Sequence, residues 1–548
     1  MPKAQGLRRS VLAFGIAVAL VVSPFVPSRR LRADAPALGR IAFPTSGSPS
    51  AQPPFIHGVL LLHSFEYDDA IQAFREAERI DPNFAMAYWG EAMCDNQPLW
   101  FHEDLAKARD ALTRLRAARA ARRVTAREDG YVDAIERLFG AGDKPARDRA
   151  YAVRMGELSR AYPADDEAAA FYALALLATI PPARPDPTVS LRAGAIASAI
   201  LKRNPRHPGA AHYALHAYDD GRHAAMGLTA ARIYARIAPA SSHARHMPSH
   251  VFLPLGLWDE AAASDESAFA ASVDWVRRHG ASPAQQDFHS LSWLQYEYLQ
   301  QGKFAKAREV LDPVRRALEA TAGSEAHAHV ESEIGRGFAP VALKSELASM
   351  RARLVVESGS WSEMAGRPTF DNVDELLALG IASVKLRDIA RAEAALEHMG
   401  KAVDLAPDAD NRELAGIMRL ELAGLIEMAK GNRSGALAAL EQAKVREAGR
   451  PRPNARPYPV KPAAELYGEA LLEAGRPRAA VTMFQESLAR TPRRAASLIG
   501  LMRAAKAAGL RLEAARAARE LLAIWRSADA DRSELAAARA IVRRVGPP

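Results

Sequence analysis

Apolar and polar positions along this chain alternate with the period of a helix, and the pattern restarts at short turns. From Gly58 and Leu61 the apolar stripe runs to a break near Tyr67, resumes through Ala70, Phe74 and Ala77, and stops at Pro82. Small residues at Ala70 and Ala77 let two helices approach, and Pro82 sits where the second helix must end. Another pair opens near Phe84 with Tyr88, Trp89, Gly90 and Ala92. Turns of the form Gly-x-aromatic mark later pairs at Gly256-Leu257-Trp258 and Gly302-Lys303-Phe304. Gly359-Ser360-Trp361 and Gly431-Asn432-Arg433 mark two less regular ones. Near the end, Gly475 with Ala480, Phe484 and Pro492 is followed 34 residues later by Gly509 with Ala514. The pattern predicts roughly ten helix pairs.

This rhythm divides the chain into segments. Residues 36–54, rich in Pro, Ser and Ala, read as an extended leader, and 55–310 as a regular helical array. Residues 311–445 read as irregular helices, 446–462 as a proline-rich loop or strap, and 463–548 as closing repeats. Ala, Leu, Arg and Glu dominate while aromatics stay at 7%, which suits helices better than sheet. With 548 residues the chain is too long for one compact core, a limit that stacked repeats avoid.

The positions Ala70, Phe74, Ala77 and Pro82, with a period of 34 residues, strongly resemble the tetratricopeptide repeat (TPR) family. The resemblance implies an all-α, right-handed superhelical solenoid, with Ala70 at repeat position 20, Phe74 at 24, Ala77 at 27 and Pro82 at 32.

Two histidine pairs, His212/His216 and His246/His250, are separated by the same 34 residues, member for member. Spacing of i,i+4 puts both imidazoles of a pair on one helix face, and the repeat places the second pair at the equivalent face of its neighbour. Seven of the fifteen histidines lie between residues 207 and 250, so the enrichment is local. In the family frame His212 and His246 take position 5, His216 and His250 position 9, and His243 and His289 position 2. Asp219 and Asp220 take positions 12 and 13. These positions share a stripe, which in the family lines the concave, ligand-facing groove. His57 is expected to be buried and His63 to reach the groove, while His223, His279, His327, His329 and His398 belong on solvated faces or loops.

The block His207-Pro208-Gly209-Ala210-Ala211-His212-Tyr213-Ala214-Leu215-His216 and the later His246-Met247-Pro248-Ser249-His250 resemble one bacterial TPR group with HPGA-H and H-MPSH segments. The match extends to Phe65-Glu66-Tyr67-Asp68-Asp69-Ala70 and Ala87-Tyr88-Trp89-Gly90. It continues at Lys461-Pro462 and Glu465-Leu466-Tyr467-Gly468-Glu469. The resemblance carries fold and site, and no reaction. Two departures stand out: Ala214 replaces a second aromatic, and Ser292 stands where the group often has a histidine three residues after His289.

Three functions fit. The leading one is a scaffold that holds a protein, peptide or small-molecule ligand in the histidine-lined groove. The second is a metalloprotein in which His212, His216, His246 and His250 share one zinc, copper or iron ion, with Asp219 or Asp220 as a further ligand. The third is an assembly scaffold in which the histidines are incidental. Arg222 and Arg245 are near enough to assist an anion, and Trp293 and Tyr296 form either an aromatic wall or core packing. Pro248 either kinks the helix between His246 and His250 or begins a new one, and only the first keeps the i,i+4 geometry.

The N-terminus reads as an export signal: Lys3, Arg8 and Arg9 precede an apolar run from Val11 to Val26, and Ala33-Asp34-Ala35 offers a cleavage site. A periplasmic or extracellular location follows, with an uncleaved anchor as the alternative. The first 35 residues carry +5 of the formal +9, so a chain starting at Pro36 carries +4 and gives no case for nucleic acid. Cys94 is the only cysteine, which excludes an intrachain disulfide and suits a small core residue. No phosphate-binding Gly-Lys loop, GxGxxG, GxSxG or CxxC occurs, and His102-Glu103 lacks the second histidine of a zinc-protease helix.

Overall fold

The computed structural model describes residues 38–181, 184–321, 340–364 and 372–545. The export signal and its cleavage site, His327 and His329 lie outside the described residues. The chain is an all-α array of helical hairpins of the TPR type. The first hairpin is Gln52–His63 with Tyr67–Ile80, and the last is Ala495–Ala507 with Arg511–Ile524, followed by Ser533–Val545. Most helices pack on their neighbour in sequence and, in many cases, on the next but one, as in stacked repeats. Among the described residues the strands are confined to one small hairpin, Asn96–Gln97 with His102–Glu103.

Glycines predicted to end the first helix of a hairpin do so in the left-handed region: Gly256 at φ 65°, Gly302 at 70°, Gly431 at 87°, Gly475 at 74° and Gly509 at 75°. In the first hairpin this place is taken by Phe65, at φ 58°. A side chain there costs about 1–2 kcal/mol. Packing below explains why it is tolerated.

Several boundaries differ from the sequence reading. The leader, non-helical from 38 to 51, is tied to the array: Arg40 N donates to Arg206 O at 2.8 Å, Ser46 N to Glu128 Oε1 at 2.7 Å, and Phe43 packs on Phe55, Trp89 and Tyr131. Helix then begins at Gln52, with proline in its first turn, where a missing N–H costs nothing. Within 311–445, Val373–Lys385 with Ile389–Asp404 and Ala409–Ala429 with Arg433–Ala448 are regular hairpins, so that segment is not irregular throughout. In the proline-rich segment, 446–448 complete the helix Arg433–Ala448, and 449–462 form a non-helical strap.

The C-terminal hairpins return onto the middle of the array, a feature without a sequence signal. Trp258 Nε1 donates to Arg493 O at 3.0 Å, and Arg493 Nη1 donates to Gly256 O at 2.9 Å. Trp525 Nε1 donates to Gln300 O at 3.0 Å, beside Asp529 N on Gly302 O at 3.0 Å. A Cβ on Gly256 would meet Pro492 O at 2.6 Å, and one on Gly302 the Trp525 ring at 2.9 Å, so both turns also need glycine for close approach. Arg494, fully buried, is neutralised by Glu465 at 2.8 Å and Glu357 at 2.6 Å.

Candidate metal centre

Helices Pro208–Ala217, Ser242–His246, Ser249–Phe252 and Phe288–Gln300 carry the six clustered histidines. Their side chains sort into two trios, His212/His216/His243 and His246/His250/His289, each offering three nitrogens within 4.8 Å of one another. The expected sharing of one ion by His212, His216, His246 and His250 is therefore replaced. Each trio joins positions 5 and 9 of one repeat to position 2 of the next, because a position-2 side chain leans across to the preceding helix. The same register continued once more would use Ser292 and Tyr296, and the series stops there. Ser292, the departure from the group pattern, removes a ligand from neither trio.

In the first trio, His212 Nε2 lies 2.9 Å from His243 Nε2 and 3.0 Å from His216 Nε2. His212 Nδ1 donates to the His63 carbonyl at 2.7 Å, which fixes its tautomer. The Phe65 ring covers all three imidazoles, with centroids 4.3 Å from His212, 5.8 Å from His216 and 5.7 Å from His243. Trp100 stands edge-on to His216 and His243, and Tyr234 stacks on His212. The left-handed turn at Phe65 is thus the conformation that lays its ring over the trio.

In the second trio, His246 Nε2 lies 3.0 Å from His250 Nε2, and the His289 ring centroid is 4.8 Å from that of His246. His246 Nδ1 donates to Asp265 Oδ1 at 2.6 Å, and His250 Nδ1 donates to Asp219 Oδ2 at 2.8 Å. Trp293 walls this trio, its ring 4.4 Å from His250 and 5.1 Å from His246. Tyr296 on the same helix packs instead on Trp258 and accepts from Arg494. Met247 and Pro248 both stay in the right-handed helical region, so the helix splits at Pro248 while the i,i+4 pair stays together.

Burial favours the neutral form of His212, His216, His243, His246 and His289. His212 and His289 are held down to about 3, the first against the pull of its bond to His63, the second with added repulsion from His250 and Arg456. Burial also lowers His216, His243 and His246 well below the usual range, reinforced by neighbouring imidazoles. Behind His246, Asp265 and Glu297 are wholly buried carboxyls, and burial together with their mutual repulsion raises Asp265 well above the usual range. Burial pushes Glu297 up to about 8. Among the described residues Asp265 Oδ2 and both Glu297 oxygens meet no N–H or hydroxyl donor, so the proton that burial keeps on the pair joins the two carboxyls.

Other expectations need correction. The histidines do not line an open groove: His212, His243 and His246 are buried, and the other three are partly buried. Neither aspartate stands among the ligand-bearing nitrogens. Asp219 orients His250, and Asp220 turns away to accept from His223 Nδ1 at 2.6 Å and cap its own loop. Arg245 donates to Pro239 O. His57 is exposed, since it lies on the outer face of the first helix. His63 is buried away from the trios, between Tyr213 OH at 2.8 Å and Glu167 Oε2 at 2.6 Å. His207 lies 3.2 Å from the other oxygen of Glu167 and accepts from Ala210 N. Burial opposes ionisation of Glu167, but His207 and His63 outweigh it and pull the carboxyl down to about 2. His207 Nε2 and Glu167 Oε1 form an ion pair without hydrogen-bond geometry, and His63, Glu167 and His207 also offer three ligand atoms within 4.8 Å of one another.

Sequence reasoning placed all six trio histidines in one stripe but missed Asp265, Glu297 and the His63 carbonyl. Asp265 lies on the second helix of its hairpin, outside the stripe, and no local spacing points to it.

No protein-family model and no curated protein matches the sequence. Among solved structures, a tetratricopeptide repeat protein from Parabacteroides merdae is 13% identical, with 55% of this chain and 97% of that one covered, at a TM-score of 0.29. Human IFIT1, solved as a dimer with m7Gppp-AAAA, is 12% identical over 92% of each chain, at a TM-score of 0.32. The Cut9–Hcn1 hetero-tetramer of the APC/C is 11% identical, with 91% of this chain and 76% of that one covered, at a TM-score of 0.29.

Proposed function

We propose that this chain is an exported metalloprotein that holds two transition-metal ions, one in each histidine trio. A single observation carries the reading. His246 and His250 both spend their Nδ1 protons on carboxylates, so the two Nε2 atoms, 3.0 Å apart, face each other as lone pairs. Two lone pairs at hydrogen-bond distance repel unless a cation lies between them, and burial disfavours a proton in that role. Imidazoles whose Nδ1 is anchored by a carboxylate are the usual arrangement of metal-binding histidine.

Three imidazoles leave a coordination position open, the arrangement of sites that bind a water or substrate rather than closed structural sites. Zinc, copper and iron all accept such nitrogen sets. The buried rings give no open groove for a peptide, so a ligand of this protein is a small molecule that reaches the open positions. The export signal supports a periplasmic or extracellular setting. Among the described residues no helix is long and apolar enough to cross a membrane.

Metal analysis of the exported protein, purified without a histidine tag, tests the reading. Close to two equivalents of transition metal per chain are expected, falling to about one in His289→Ala. A chain that folds fully and takes up no zinc, copper or iron would end it.

A further inference from the structure

We infer that the two trios differ in kind: the first takes a monovalent soft ion, copper(I), and the second a divalent ion such as zinc. This rests on the metal reading above and asks what charge each cage can hold.

The cost of burying an ion grows with the square of its charge, so a dication costs about four times as much as a monocation in the same cage. Compensating negative charge must therefore lie nearby if a dication is to stay. The second trio has it. Asp219 is 2.8 Å from His250, Asp265 is 2.6 Å from His246 and shares one proton with Glu297, and the nearby Arg456 is paired with Glu346 at 3.1 Å. Carboxylates behind imidazoles also strengthen them as donors to a dication.

The first trio has none of this. Among the described residues its one hydrogen-bond partner outside the trio is a neutral backbone carbonyl, that of His63. Phe65, Trp100 and Tyr234 cover the rings with apolar surface and thin the water that would otherwise screen a charge. Copper(I) is the monovalent transition ion that imidazole nitrogens hold, and it carries half the charge.

Metal-free full-length chain is titrated with zinc(II) against a chromophoric chelator, and separately with copper(I) under reducing conditions against bicinchoninate. One tight equivalent of each is expected. His289→Ala should weaken zinc about 100-fold and leave copper(I) within about threefold, and His243→Ala should do the reverse. Asp265→Asn, which keeps the shape of the side chain, should weaken zinc about tenfold or more without changing copper(I). This variant decides the matter if either alanine variant loses its cooperative unfolding. Zinc bound equally at both trios, or copper(I) insensitive to His243→Ala, would overturn the inference and leave the two-site reading standing. Wild-type chain that binds neither ion would remove both.

Discussion

Asn454, on the proline-rich strap, donates its side-chain amide to Asp219 Oδ1 at 3.2 Å and to the Asp219 carbonyl at 3.3 Å. The other oxygen of the same carboxylate holds His250. Two residues further on, Arg456 pairs with Glu346 at 3.1 Å, so the strap ties the second trio to the helix Pro340–Ser358. A segment that breaks the helical rhythm thus fixes the orientation of a histidine 204 positions earlier.

Asn454→Ala is expected to release Asp219 and let the His250 ring turn. Metal affinity at the second trio should fall about tenfold, with secondary structure unchanged. Competition with a chelator measures it, and an unaltered affinity would show that the strap only covers the site.

Phe65 sets backbone strain against packing. Phe65→Gly relieves about 1–2 kcal/mol of left-handed strain. It also removes a buried ring, a loss of about 3–5 kcal/mol. The net expectation is a destabilisation of about 2 kcal/mol, read as a lower urea midpoint. A raised midpoint would mean that the ring contributes little over the trio.

Metal-free chain should lose stability as pH falls below about 6.5, the usual value of an unfolded histidine. His212 and His289 are held down to about 3, so in that interval the unfolded chain binds protons that the native chain refuses. The contribution is fully present above about 6.5 and shrinks progressively toward pH 3. Thermal midpoints in chelator at about pH 7.5, 5.5 and 4.5 should fall in that order.

Glu297 has the opposite sign. Its carboxyl is raised to about 8, while an unfolded glutamate ionises near 4.3, so the unfolded chain sheds a proton that the native one keeps. Stability is lost as pH rises from about 4.3 to 8. Glu297→Gln removes that loss and keeps a group able to donate to Asp265. Metal-free Glu297→Gln should gain stability over the parent at about pH 8.5 and gain little at about pH 5, as chemical denaturation at the two values would read.

Gly302 combines a positive φ with a close approach to Trp525. Gly302→Ala should cost about 2–3 kcal/mol and loosen the returning C-terminal hairpins. Faster hydrogen exchange at Ala528 and Asp529 would accompany it, whereas a uniform change along the chain would point to the turn alone.

Much of the fold was legible because its information is local. Gly256, Gly302, Gly431, Gly475 and Gly509 end their helices where the sequence pattern placed them, since few other residues enter the left-handed region cheaply. At position 65 a phenylalanine reads in the sequence as an ordinary aromatic, and only its contact with three imidazoles shows why it is there.

The sequence by itself determined the helical hairpins and the stripe that carries His212, His216, His243, His246, His250 and His289. Period and spacing act within a few turns, and that suffices to assign a helix face. Only the tertiary structure decided how the six divide into two trios, which carboxylates stand behind one trio and which aromatic rings enclose the other. Those partners come from Phe65, Asp265, Glu297 and Asn454, on separate helices and a strap. Their meeting depends on how neighbouring hairpins lean and on where the C-terminal half returns, quantities that no single stretch of chain encodes.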